Sequence, residues 1–168
     1  MNVGSICRHQ VVTVNPGTDL VTAAQLMREQ HVGFLVVVEP EPNTTYGRPV
    51  GVLTDRDIVI SVVARAADPM SLTVADLMKQ YPAMVDETDP LDQALHTMRR
   101  MGVRRLPVVG AAGMLTGILA LDDVIDVLSG EISDVSSTVR NEQRIESRLR
   151  SPDGAPAAGA GASRDPEA

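Results

Sequence analysis

The segment Gly51-Val52-Leu53-Thr54-Asp55-Arg56-Asp57-Ile58 passes from apolar residues to a hydroxyl and a carboxylate three positions apart. The apolar residues up to Leu53 predict a strand, and Ile58, Val62 and Val63 continue at helical spacing. Thr54 and Asp57 therefore stand at a strand-to-helix junction. A carboxylate at that junction faces the positive end of the helix dipole and stays ionised. It can accept two hydrogen bonds from the vicinal hydroxyls of a ribose, by the logic that places an acidic residue on the ribose in dinucleotide folds. Thr54 adds a hydroxyl, and the first-turn amides can face a phosphate. The same two residues would also serve as a plain helix N-cap with no ligand at all.

A second set of chemically capable residues is Arg104-Arg105. Arginine is permanently charged and binds phosphate bidentately. Two cations at the end of a helix are also favourable without any ligand.

Other polar residues carry less. His9, His31 and His96 share no ligand spacing, and Cys7 has no partner at CxxC distance, so no metal site is expected. The chain has no Gly-rich phosphate loop and no GxSxG or HExxH sequence. Asp122 and Asp123 are adjacent, and neighbouring side chains at a helix start diverge, which argues against a general acid–base pair. No nucleophile is paired with a base, and the reading is of a protein without catalytic activity. Met27, Met98 and Met101 fit helical packing stripes.

Composition narrows the classes further. Of 168 residues, 43% are hydrophobic but only 2% aromatic, with no Trp, so the core must be aliphatic and stacking of single-stranded nucleic acid is poorly supported. The formal charge of −7 argues against a long phosphate footprint, although a few arginines can still hold one phosphate locally. One cysteine excludes an intrachain disulfide and fits a reducing compartment. The N-terminus does not read as a signal peptide, and no run approaches the roughly 18 apolar residues of a membrane span. These features predict a soluble, cytoplasmic protein.

The elements that position these residues occur twice. With a shift of 71 positions (14 to 85), Leu20 meets Leu91, Ala23 meets Ala94, Met27 meets Met98, Val32 meets Val103, Leu35 meets Leu106 and Val38 meets Val109. The shift falls to 66 beyond a variable loop, so that Gly51 meets Gly117, Leu53 meets Leu119 and Asp57 meets Asp123. The loop spans residues 39–47 in the first copy and 110–113 in the second, and turn-rich loops tolerate such changes. Each copy predicts a leading strand (Val11–Val14; Met84–Val85), a helix, two strands and a helix. The first helix is opened by Thr18-Asp19 in copy one. In copy two Asp89 is expected to cap, with Pro90 at the first helical position and Gly102 as terminator. Neither copy has enough apolar surface to stand comfortably alone. The predicted divisions are residues 1–66, residues 67–133 and a tail of 134–168. The tail is polar and able to extend the last helix as far as residue 150, and from Ser151 it is expected to be disordered.

The chain resembles the CBS domain family, whose tandem pairs are called Bateman modules. Thr73-Val74-Ala75-Asp76-Leu77-Met78 is similar to the family's lead-in, Gly102 to Val109 to its helix-to-strand segment, and Gly51 to Ile58 to its strand-to-helix motif. The resemblance covers about residues 1–130. It implies a mixed α/β (α+β) fold of two βαββα repeats packed with pseudo-two-fold symmetry. It also implies a regulatory sensor that binds an adenosine-containing nucleotide between the repeats: AMP, ADP or ATP, with S-adenosylmethionine and NADH presenting the same ribose.

On this reading Thr54 and Asp57 hold the ribose, Arg104 and Arg105 the phosphate, and Arg56 assists. The backbone at Pro82 and Ala83 meets the adenine, and Val52 lines the base pocket. The opposite site keeps Asp123 but has Ala120 in place of the hydroxyl residue. Its phosphate side, Gly33 and Phe34, has no charge, so it is expected to be empty or to take an uncharged nucleoside. The resemblance implies a homodimer formed through helical faces, with Ile58, Val62, Val124 and Leu128 as contact candidates. An unidentified protein would read the bound state, and no nucleic acid, membrane, metal or required cofactor is expected. The rival reading is a structural, protein-interaction module that has lost its ligand.

Overall fold

Strand β2 (Phe34–Glu39) shows how the apolar runs are used. Leu35 and Val37 point into one core with Leu20, Ala23 and Met27, while Val36 and Val38 point to the opposite face and pack with Leu115. A strand buried on both faces needs a continuous apolar run rather than an alternating one. The computed structural model describes residues 1–150. The expectation of disorder from Ser151 lies outside the described residues.

Unit one covers Met1–Val127 and holds both repeats. In the first, β1 (Thr13–Val14) runs parallel to β2, and β3 (Arg48–Thr54) is antiparallel to it. Helix α1 (Leu20–Glu29) follows β1, and α2 (Asp55–Ile58), widened into a π-turn over Val59–Val63, follows β3. The short helix α3 (Val74–Leu77) and β4 (Lys79–Gln80) lead into the second repeat. There β5 (Val85–Asp86), α4 (Leu91–Met101), β6 (Arg105–Val109), β7 (Leu115–Ala120) and the start of α5 (Leu121–Arg150) repeat the order. The strands form two sheets, β1-β2-β3-β4 and β5-β6-β7.

The lead-in segments are exchanged between repeats. β4 pairs with β3, setting Val52 opposite Lys79, and in the symmetry-related place Arg8 bridges to Ile118 of β7. Val74 is buried in the core of the first repeat, whereas Val3 and Cys7 are buried in the core of the second. The division at residue 66 separates the repeats in sequence, but each core contains the other repeat's lead-in.

Glycine permits this exchange. A Cβ on Gly117 would lie 2.8 Å from Cys7 Sγ and 2.9 Å from the Arg8 carbonyl oxygen, and one on Gly51 would lie 2.6 Å from Met78 Sδ and 3.2 Å from the Lys79 carbonyl oxygen. The crossing lead-in can lie this close only to a residue without a side chain.

Caps set the helix limits. Asp19 accepts from the Thr22 amide at 2.8 Å, and Gly102 closes α4 in the left-handed region at φ 65°. Pro90, expected inside α4, is instead its N-cap residue, because Asp89 turns back to accept from the Asp86 amide. The final helices start two residues earlier than the Asp57 and Asp123 positions suggested, at Asp55 and Leu121.

Unit two begins at Leu128 and consists, over the described residues, of the remainder of α5. No described helix is long and apolar enough to cross a membrane.

Candidate functional site

Thr54 and Asp57 form a reciprocal capping box at the start of α2. Asp57 Oδ2 accepts from the Thr54 amide at 3.0 Å and from Thr54 Oγ1 at 2.6 Å, and the Asp57 amide donates back to Thr54 Oγ1 at 3.1 Å. The remaining oxygen, Oδ1, meets Lys79 Nζ at 3.3 Å. Partial burial would push the Asp57 carboxyl up. The Thr54 hydrogen bonds and the Lys79 ammonium outweigh it and hold the group below the ordinary carboxylate range. Asp57 is therefore an ionised carboxylate with one oxygen fixed by the helix cap and the other turned to a mobile-ended cation, a geometry able to accept from a sugar hydroxyl.

Of the residues expected beside it, Val52 is brought close through its pairing with Lys79. Pro82 and Ala83 are half-buried on the chain leaving β4, and Ala83 packs on the core of the second repeat. Just before them Tyr81 is held at φ 52° with its ring 90% exposed. Arg56 is exposed, and its amide bonds the Asp55 side chain at 2.7 Å. Arg104 and Arg105 are exposed at the start of β6, and neither makes an ion pair with Asp57. Arg105 instead lines a cavity on the opposite side, around Asp123.

That cavity, of about 350 Å³, is bordered by Arg8, His31, Gly33, Phe34, Arg105 and Asp123 among others. It is the pseudo-symmetric counterpart of the Asp57 site, and it differs because Ala120 stands where Thr54 does. Asp123 Oδ1 meets Arg8 as Asp57 Oδ1 meets Lys79: Arg8 Nε donates at 2.9 Å and Nη2 completes a close ion pair. Asp123 Oδ2 is buried with no hydrogen-bond partner. The expectation that this side lacks charge is corrected: Arg8 and Arg105 both border it. In place of Arg104 and Arg105 the helix-to-strand segment of the first repeat has Gly33 and Phe34, and the charge arrives instead on the exchanged lead-in, with Arg8, and on β6, with Arg105. The 71-residue shift does carry the signal, since it aligns Arg8 with Lys79, and both meet the repeat-end aspartate of the other repeat.

Cys7 is buried, and burial raises its thiol pKa, so it is a packing residue rather than a nucleophile. Among the described residues no three His, Cys, Asp or Glu side chains converge as a metal site would require.

Two βαββα repeats with exchanged lead-ins and two related clefts, each built on an aspartate at a helix start, define a tandem-repeat module. The CBS domain family matches residues 3–64 and 74–130, and the chain belongs to that family. An uncharacterized protein of Methanopyrus kandleri, MK0525, is 34% identical over 127 residues, which are 76% of this chain and 62% of that protein. The chain thus spans about three fifths of that relative. The CBS domain-containing protein YhcV of Bacillus subtilis is 33% identical over 81% of this chain and 92% of its own length. Among solved structures, the CBS domain protein PAE2072 of Pyrobaculum aerophilum, complexed with AMP, is 27% identical with a TM-score of 0.64, covering 73% of this chain and 89% of that one.

Proposed function

We propose that this protein is a regulatory module, without catalytic activity of its own, that binds an adenosine-containing nucleotide in the cleft at Asp57. The observation that carries the reading is the Asp57 carboxylate: ionised, anchored through Oδ2, and engaged at Oδ1 only by the flexible Lys79. A ribose hydroxyl donates to Oδ1 and releases Lys79 toward the phosphate, with Arg56 and Arg104 as the further cations of that side, Arg105 lining the Asp123 cavity instead. The adenine lies against the backbone of Pro82 and Ala83 and the side chain of Val52. Tyr81 joins this set as an exposed ring in a strained backbone position, the combination found at ligand clamps. The AMP complex of PAE2072 supports the ligand class. AMP, ADP and ATP are the leading ligands, with S-adenosylmethionine and NADH behind them.

The Asp123 cavity offers a second place for a nucleoside or nucleotide, whose ribose hydroxyl would satisfy the orphaned Oδ2 and whose phosphate, if present, would meet Arg105. Self-association through helical faces belongs to the same proposal, with its contacts revised. Val62 and Val124, expected at the interface, are buried in the cores, whereas Leu128 is exposed, and further exposed apolar residues on those helices include Val59, Ile60, Val63 and Ile125.

Equilibrium calorimetry with AMP, ADP, ATP, S-adenosylmethionine and NADH tests the reading. One of these is expected to bind wild-type protein with one strong site and to lose at least about tenfold in affinity with Asp57→Ala, the loss of a charge-assisted hydrogen bond. Equal affinity in the two proteins would remove Asp57 from the site. A second reading, a ligand-free interaction module, is favoured by one observation: Thr54 and Lys79 already satisfy Asp57. No binding by any of the five would select it.

A further inference from the structure

Helices α1 and α4 end in the same way. The Val32 amide donates to the Met27 carbonyl at 3.0 Å, and the Val103 amide donates to the Met98 carbonyl at 3.1 Å. The residue before each valine has a left-handed backbone, at φ 52° in His31 and 65° in Gly102. Glycine takes that position without steric cost, whereas a side chain there is strained. The first repeat therefore carries a histidine where a glycine would make the more relaxed helix end, and strain of this kind clusters at ligand sites.

His31 borders the Asp123 cavity. Among the described residues its imidazole has no hydrogen-bond or ion-pair partner, and neither has the Arg105 guanidinium. The other charges of the cavity nearly cancel. Arg8 is held by Asp123, and Asp122 offsets Arg105. Position 33, aligned with Arg104 by the 71-residue shift, supplies no further cation. A Cβ on Gly33 would lie 2.5 Å from Asp55 Oδ2, so the Asp55 carboxylate fills the space that a side chain would need. The polar contact left for an anion beside Arg105 is the His31 ring, which offers an N–H in either neutral tautomer.

We propose that His31, together with Arg105, receives the phosphate of a nucleoside monophosphate in the Asp123 cavity and makes this cavity prefer the phosphorylated ligand to the free nucleoside. The inference rests on the reading of the cavity as a nucleoside or nucleotide site. Its volume of about 350 Å³ is near the lower end for small-ligand sites, roughly 300–1,000 Å³, and suits one phosphate rather than two or three. The cavity is the weaker of the two places, because Arg8 is already engaged by Asp123 and Asp122 adds a second carboxylate.

Calorimetry on the full-length Asp57→Ala chain tests it, with AMP and adenosine at concentrations well above those that fill the Asp57 cleft. AMP is expected to bind about tenfold more tightly than adenosine, the worth of one or two hydrogen bonds to a charged group. Adding Asp123→Asn should weaken both ligands. Adding His31→Gly instead should remove most of the preference, weakening AMP about five- to tenfold and leaving adenosine unchanged. The same substitution should raise the ligand-free thermal midpoint, because glycine relieves the left-handed position. A histidine that only ends the helix would give the higher midpoint with no change in AMP affinity, and that result would overturn the proposal. Equal affinity for AMP and adenosine would overturn it, as would AMP binding that survives Asp123→Asn. Absence of binding by either ligand to Asp57→Ala, after a strong site in wild type, would also overturn it while leaving the Asp57 reading intact. AMP affinity indifferent to Asp57→Ala but lowered by His31→Gly would contradict the Asp57 reading and keep this one.

Discussion

The single difference between Thr54 and Ala120 accounts for the divergence of the two aspartates. Both aspartates meet a lead-in cation through Oδ1, but Thr54 holds Asp57 Oδ2 in a helix cap, whereas Asp123 Oδ2, beside Ala120, has no partner. Asp57→Ala removes half of a capping box, and stability should fall by about 1 kcal/mol in urea unfolding. The pH dependence follows from the same contacts. The folded-state pKa of Asp57 is depressed, so its contribution is fully present above the unfolded carboxylate value and is lost as pH falls through the folded one. Wild-type stability should therefore decline in that acid range, and Asp57→Asn should flatten part of the decline when urea midpoints are compared across pH. Arg8→Ala leaves the mostly buried Asp123 carboxylate with one fewer partner, and a loss of roughly 1–3 kcal/mol is expected in the same measurement.

At the scale of elements, the glycines of the two strand-to-helix motifs are contact sites for the exchanged lead-ins. Gly117→Ala would force a methyl against the Arg8 carbonyl and Cys7, and thermal unfolding should show a loss of roughly 1–3 kcal/mol from overpacking. Gly113, at a loop end, meets only the tip of Arg48 and depends on its positive φ instead.

Much of this level was legible in the sequence. The doubled order of strand, helix, strand, strand and helix came from apolar periodicity, and Asp19 and Gly102 were readable as caps from residue type alone. The exchange of lead-ins was not readable, because β4 and the Arg8–Ile118 bridge are too short to leave a periodic signal and their partners lie far away in sequence. The burial of Val62 and Val124 was missed for a related reason: helical spacing gives a face, but not which neighbour covers it. At the candidate site, the place of Thr54 and Asp57 at a strand-to-helix junction was legible from their motif. Lys79 and Arg8 were not, since an exposed cation at a strand edge looks like any other until the opposing carboxylate is placed.

For the whole molecule, the repeat architecture puts two aspartate-based clefts in one unit and makes them unequal. A ligand that binds one cleft can shift the arrangement of the repeats only by its differential affinity for the states available. Exposed apolar residues at Val59, Ile60 and Val63, and again along α5, provide the surfaces on which such a shift could be read by another chain.

The measurement that bears most directly on the central claim is thermal unfolding with saturating AMP, ADP or ATP, run in parallel on wild type and Asp57→Ala. A ligand present at 100 times its dissociation constant stabilises the folded state by about 2.7 kcal/mol. The account predicts an upward shift of the wild-type midpoint with at least one of these nucleotides, and little or none for Asp57→Ala measured against its own ligand-free midpoint. The same shift in both proteins, or none in wild type with any of the three, would contradict it.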